Sequence, residues 1–354
     1  MCLIEGTKAM NNQKRREAMP KSRRVSKPQK HPSLVRSICP PESGFYSKVV
    51  DYQGIPIKSS DEVDDRALLE AWQRLHMMLR SAPSIVANLI ANEAELHIIG
   101  KDQVTSDLPE NRQMKGKPFD KKLTIDQRTR GTGGLASSCG EENLLKLPND
   151  RYFGRDICVH EFAHTIRTFG VDESTRRKIG KCFVVAREKR LWPKCYAMTN
   201  EDEYFSELCM WYFGTHGDPG KISPQPMSGP MWLQSYDTDA FHLLDNLFSG
   251  RLEVEKWALR PLKRLSITKE STLRSTSGDK NSIIEFVNQT EQPMKLYWLD
   301  YNGKRIFKWL LEPLGRHTHY TYKTHPFVVT DTDENAKAIF VAQSYCGMAI
   351  IQTE

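Results

Sequence analysis

The stretch DICVHEFAHTIR, residues 156–167, constrains this chain more than any other. His160 and His164 lie four apart, one helical turn. A helix here aims two imidazoles at one point, with Glu161 near enough to reach a water held there. A metal site that does chemistry typically has three protein ligands and a water, so the fold must bring up another donor. The segment NEDEYFSEL, residues 200–208, offers one on a second helix. Glu203 can be the third ligand, and Glu207, one turn on, can hold the other ring nitrogen of a ligand histidine. Alone, those acids read as a solvated helix face. Joined to the histidines some forty residues upstream, they point to Zn2+ on His160, His164 and Glu203. Cys158 falls roughly 200° around the helix from His160 and is expected in the core.

Around this pair the chain reads as α+β. Residues 59–80 carry one apolar stripe from Val63 to Leu79, with Ser59 and Glu62 at capping-box spacing. PSIVANLIANEA continues as helix into ELHIIG, an apolar run closed by glycine and read as a buried strand. Residues 101–155 are rich in Gly, Pro, Asn and charge, and read as long loops of the kind that carry function. Further helices are expected over DESTRRKIGKCFVVAREKR and NEDEYFSELCMWYFG. After residue 260 the composition changes. LSITKESTLRSTSGDKN is a polar linker, and SIIEFVNQ, KLYWLDYNG, HTHYTYK, FVVTDTD and AIFVAQ are short β-rich runs, which predicts a small antiparallel all-β sandwich.

The formal charge of +7 is uneven. Residues 1–40 hold ten Lys/Arg against Glu5 and Glu17, a net +8, so the remainder is close to neutral. This stretch is poor in large apolar residues and reads as a disordered basic arm, the only segment with an electrostatic reason to meet nucleic acid. No apolar run approaches the roughly 20 residues of a membrane span, and the start has no secretory core. An intracellular protein, cytoplasmic or nuclear, is expected. The eight cysteines are scattered, without a CxxC pair, and free thiols are expected.

HEFAH followed by TNEDEYFSE resembles the catalytic domain of anthrax lethal factor and its relatives, gluzincin peptidases in which a TNExE-F-xE helix follows the HEFxH helix. The match is tight over residues 156–214 and diffuse back to residue 41. The resemblance implies that His160, His164 and Glu203 bind zinc and that Glu161 is the general base. Tyr196 precedes TNE by three residues, as a tyrosine does in that family, which implies that it donates to the oxyanion.

Residues 282–342 resemble the β domain of the von Hippel-Lindau protein, through IIEFVNQTEQPMKLYWLDYNGK and HYTYKTHPFVVTD. That family reads a hydroxyproline peptide through a tyrosine, a serine, a histidine and a tryptophan. The serine position here is Thr321, the histidine is His325, the tryptophan position is Phe327 and the tyrosine position is Lys308, while the family's first tryptophan is kept as Trp298. The resemblance implies a peptide-binding surface on Trp298, Thr321, His325 and Phe327, with only part of the hydroxyproline pocket retained. No adaptor-recruiting helical domain is expected before Glu354. His317 and His319 alternate on one strand face and read as surface residues.

The organisation expected is therefore a disordered basic arm over 1–40, a zincin-like α+β metallopeptidase domain over 41–260, a flexible linker over 261–280 and a sandwich over 281–354. The function expected is zinc-dependent hydrolysis of peptide bonds in a protein or peptide substrate, with the tethered sandwich docking a peptide. The alternative is a catalytically silent zinc-fold scaffold or a peptide-binding adaptor built on the sandwich.

Overall fold

The computed structural model describes residues 34–118, 122–152, 154–216, 222, 227–343 and 346–352. The basic arm lies outside these residues up to residue 33. Its last part does not: β1 (Arg36–Glu42) pairs antiparallel with β2 (Tyr46–Tyr52), so the folded body begins before residue 41. β2 turns through Gln53 and Gly54, both at positive φ, into antiparallel β3 (Ile55–Ser59). The turn residues of DYQGIP mark this hairpin, which the sequence reading did not place.

α1 (Asp65–Leu79) and α2 (Pro83–Ala91) carry the chain across to β4 (Glu95–Ile99), which runs parallel to β3, as such a crossover requires. α1 buries Ala67, Leu68, Ala71, Leu75, Met78 and Leu79, the expected stripe. Its cap differs from expectation. Asp64 accepts from the Arg66 N–H, whereas Ser59 ends β3. The segment 101–155 is more ordered than a long loop. It contains two short 3-10 helices (Thr105–Asp107 and Pro109–Met114), α3 (Ile125–Arg128), β5 (Gly131–Thr132), β6 (Ala136–Gly140) and α4 (Glu141–Leu144). The sheet order is β1-β2-β3-β4-β6-β5, with β6 parallel to β4 and β5 antiparallel on its edge.

Helices follow: α5 (Ile157–Thr165), running on as one π-helical turn over Ile166–Gly170, then α6 (Glu173–Glu188), α7 (Glu201–Tyr212), α8 (Pro230–Tyr236) and α9 (Thr238–Phe248). α5 packs between β6 and α7. Asp156 caps α5 by accepting from the Val159 N–H at 3.1 Å, and its second oxygen takes Arg74 Nε at 2.6 Å, which ties α5 to α1. Cys158 is fully buried in this core. No disulfide joins the described cysteines, all of which are free. Among the described residues no helix is long and apolar enough to cross a membrane.

The remaining strands are β7 (Arg260–Pro261), β8 (Asn281–Asn288), β9 (Met294–Leu299), β10 (Arg305–Leu311), β11 (Arg316–Tyr322), β12 (Pro326–Thr330), β13 (Ala336–Val341) and β14 (Gly347–Ile351). They form two four-stranded sheets, β10-β9-β12-β13 and β11-β8-β14-β7, over a core that includes Phe286, Leu296, Phe327 and Phe340. The first sheet is antiparallel. In the second, β14 runs parallel to β8 and β7, so the sandwich is mixed rather than purely antiparallel.

The flexible linker expected over 261–280 is laid down along this sandwich. Leu262 N–H donates to Met348 O, Leu265 N–H to Ile339 O and Ser275 N–H to Asp300 O, while Arg305 pairs with Glu270 at 2.5 Å. The polar composition misled because Ser, Thr and backbone groups found partners on the sandwich edges. The preceding segment is strapped down as well. Asn88 donates to Glu255 O and accepts from Trp257 N–H, and Asn92 donates to Trp257 O and accepts from Leu259 N–H. Ile283 and Met348, on the outer face of the second sheet, and buried Cys346 pack into the core of the α/β part. Both parts belong to one compact unit over Leu34–Glu354.

Candidate metal centre

His160 and His164 project from α5, and Glu203 from the first turn of α7. Asn200 sets that turn by accepting from the Glu203 N–H at 2.9 Å. The two Nε2 atoms lie 3.2 Å apart, and Glu203 Oε2 lies 3.2 Å from His160 Nε2 and 3.5 Å from His164 Nε2. A tetrahedral ion with bonds of about 2.0–2.1 Å spaces its ligands about 3.4 Å apart. The three separations cluster around that value, and two imidazoles with a carboxylate are a donor set suited to zinc. Glu203 Oε2 is buried without a hydrogen-bond partner, and an unpaired buried carboxylate oxygen is costly unless a cation faces it. Burial acts to raise the Glu203 carboxyl, but the two histidines outweigh it and hold it well below the usual carboxylate range.

Around these three atoms stand further groups. Glu207, one turn along α7, places Oε1 3.4 Å from His160 Nδ1, and its Oε2 bonds His216 Nε2 at 2.9 Å. His216 in turn stacks on Trp211, with centroids 4.3 Å apart. Tyr196, on a short 3-10 helix leading into α7, donates to Glu203 Oε1 at 3.1 Å. Burial raises the Glu161 carboxyl above its ordinary value, against the charges of His160, His164 and Arg128, so it holds a proton more readily than a free side chain. Arg128 also bonds the Tyr196 side chain. His216 and Arg128 were missed by the sequence reading. One follows the end of α7 and the other ends the short α3, so neither sits at a helical interval from the motif.

Two glycines let the helix approach the sheet edge. A methyl group at Gly131 would lie 2.9 Å from Glu161 Cγ, and one at Gly133 would lie 2.7 Å from His164 Cβ. The centre opens into a cleft of about 1370 Å³. Its walls include β5, the Pro109–Met114 turn and the β10–β11 hairpin of the sandwich.

No family model matches this chain, and no curated protein matches it. Among solved structures it is similar to the Pro-Pro endopeptidase PPEP-2 from Paenibacillus alvei. The identity is 15% and the TM-score 0.41, over 55% of this chain and 98% of that one.

The residues singled out on the sandwich are not all in one place. Trp298, Thr321 and His325 meet, with Trp298 and His325 centroids 5.1 Å apart and Thr321 Oγ1 3.0 Å from His325 Nδ1. Tyr301 and Tyr322 also face His325, and Lys308 Nζ sits 4.8 Å over the Trp298 ring. Phe327 is a correction: at 1% exposure it packs against Phe286 inside the sandwich, where a peptide does not reach. A second correction concerns His317 and His319. They are half-covered rather than surface residues, His317 stacks on Trp309 at 4.0 Å, and burial pushes both imidazoles below their ordinary pKa.

Proposed function

We propose that this chain is a zinc-dependent peptidase of the gluzincin type, in which His160, His164 and Glu203 hold the ion. The observation that carries the reading is the convergence of three donor atoms at 3.2–3.5 Å, one of them a buried carboxylate oxygen with no hydrogen-bond partner. When bound, zinc would supply Lewis acidity at this point, polarising a peptide carbonyl and lowering the pKa of a water to about 7.

The chain's own groups account for the proton and charge movements. Glu161 takes a proton from the attacking water as its oxygen bonds to the carbonyl carbon, then delivers it to the amide nitrogen as the C–N bond breaks. The products are a carboxylate and an amine. Burial raises the Glu161 pKa, which makes it a stronger proton acceptor than a free carboxylate. Tyr196 donates its hydroxyl hydrogen to the carbonyl oxygen as charge develops there, and Arg128 beside it adds a positive charge. Glu207, held by His216, faces the far nitrogen of His160 and orients that ring. The substrate is a peptide lying in the cleft. The lethal-factor resemblance supports the same assignment of roles, and the von Hippel-Lindau resemblance supports a peptide-contacting sandwich.

The test is zinc stoichiometry on purified protein, with peptide-library cleavage in the presence and absence of a chelator. One zinc per chain is expected. Glu203→Ala and His164→Ala should each lose it, because two donors remain, while Glu161→Gln should keep the metal and lose cleavage. Full zinc in both ligand variants would remove the centre. Cleavage surviving in Glu161→Gln would remove the assigned base and leave a metal scaffold to be explained.

A further inference from the structure

The sandwich is fixed over the metal centre and not tethered near it. Its second sheet lays an outer face on the α/β part, and four contacts, three from β11 and one from β10 of the other sheet, hold the sandwich there. Leu310 N–H donates to Gln113 Oε1 at 2.6 Å, Arg316 pairs with Glu93, Tyr320 bonds Thr168, and Thr318 stands over Gly134. Glu285, 1% exposed, is satisfied within this layer by Arg316 Nε at 3.1 Å and Thr318 Oγ1 at 2.6 Å. Gly133, the neighbour of Gly134, abuts His164. β11 therefore passes within about one residue's width of a metal ligand, and a peptide that reaches the centre must lie against the sandwich.

The β10–β11 turn forms the end of this wall. Asn288 pins it by donating to Glu312 O at 2.9 Å and Leu311 O at 3.3 Å, while Leu314 N–H donates to Thr290 O at 3.2 Å. Leu314 occupies its tip at φ +56°, is 72% exposed and lines the cleft. Leucine is a poor choice for such a position. The left-handed conformation favours Gly, Asn or Asp, and a bulky leucine there carries a backbone cost. Thr318 lies four positions along the chain, at most roughly 13 Å away at about 3.3 Å per residue.

We propose that the sandwich is a fixed half of the substrate cleft and that Leu314 forms an apolar subsite for a substrate side chain three or four residues from the bond that is cut. The inference rests on the peptidase reading, whose substrate is the occupant. Contact with an aliphatic or aromatic side chain covers the leucine, and the pinned turn makes that contact without loss of backbone entropy.

Leu314→Asn tests it, because asparagine suits the left-handed backbone and so does not threaten folding. The zinc-loaded wild type and this variant are profiled on a peptide library. Binding of the preferred peptide to Glu161→Gln chains, with and without Leu314→Asn, is followed by fluorescence anisotropy. The expected result is a preference for an apolar residue at one position three or four from the scissile bond. Leu314→Asn should abolish it and weaken peptide binding about tenfold, with zinc content unchanged. An unchanged preference and unchanged affinity overturn this inference and leave the peptidase reading standing. A zinc-loaded wild type that neither cleaves nor binds any library member overturns both.

Discussion

Glu203 divides its two carboxylate oxygens between two tasks, Oε2 towards the imidazoles and Oε1 towards the Tyr196 hydroxyl. The tyrosine is therefore placed by a residue of the candidate triad, through the oxygen that faces away from the imidazoles. Tyr196→Phe should lower kcat roughly 10²–10³-fold, the usual loss of one oxyanion donor, with zinc content and KM little changed. Steady-state kinetics with metal analysis would check this, and a KM effect alone would make Tyr196 a binding residue. That the side chains of His160 and His164 meet was legible because four-residue spacing on a helix leaves little freedom for where they point. His216 was not legible. It reaches Glu207 only because the chain turns back after α7, with Gly214 at φ +72°, and no periodicity encodes that return.

At the scale of elements, the β5 edge of the six-stranded sheet and the face of α5 fit through Gly131 and Gly133. Gly133→Ala should displace His164 together with its stretch of α5 and lower zinc affinity about tenfold, measurable by chelator competition. β4 shows a different device. His97 is buried between Glu110, with Nδ1–Oε1 at 2.6 Å, and Glu95, with Nε2–Oε2 at 3.0 Å, while Tyr46 bonds Glu110 at 2.7 Å. Burial opposes the charged imidazole, but the two carboxylates outweigh it and raise the pKa to about 9 from an ordinary 6.5. The stabilisation is complete below about pH 6.5 and is lost as pH rises through 9, and it amounts to about 3 kcal/mol at most. Denaturant unfolding of wild type and His97→Gln should therefore show a stability difference that shrinks between pH 6.5 and 9. A constant difference would place the imidazole outside that ion pair. Glu110 belongs to the turn that carries Gln113, the residue that holds Leu310 of the sandwich, so this cluster also anchors one wall of the cleft.

For the whole molecule, the two parts fold against each other. A chain ending at residue 280 would expose Leu262 and Leu265, leave β7 without β14, and uncover the core that Ile283, Cys346 and Met348 close. Such a truncation should lower the thermal midpoint and slow short and long peptides alike. A tethered docking module would instead spare the short peptide, so parallel kinetics on the two substrates decide between them. The sequence alone determined the five long helices up to residue 212, the strand β4, five strands of the sandwich and the candidate triad His160, His164 and Glu203, because each is written in local spacing of 2, 3.6 or 4 residues. Only the tertiary structure decided that the polar segment after residue 260 is packed, that Phe327 is core, and that β11 lies beside the candidate metal centre. Those outcomes depend on which distant surfaces meet, and a hydroxyl or amide reads the same in sequence whether its partner is water or a strand edge.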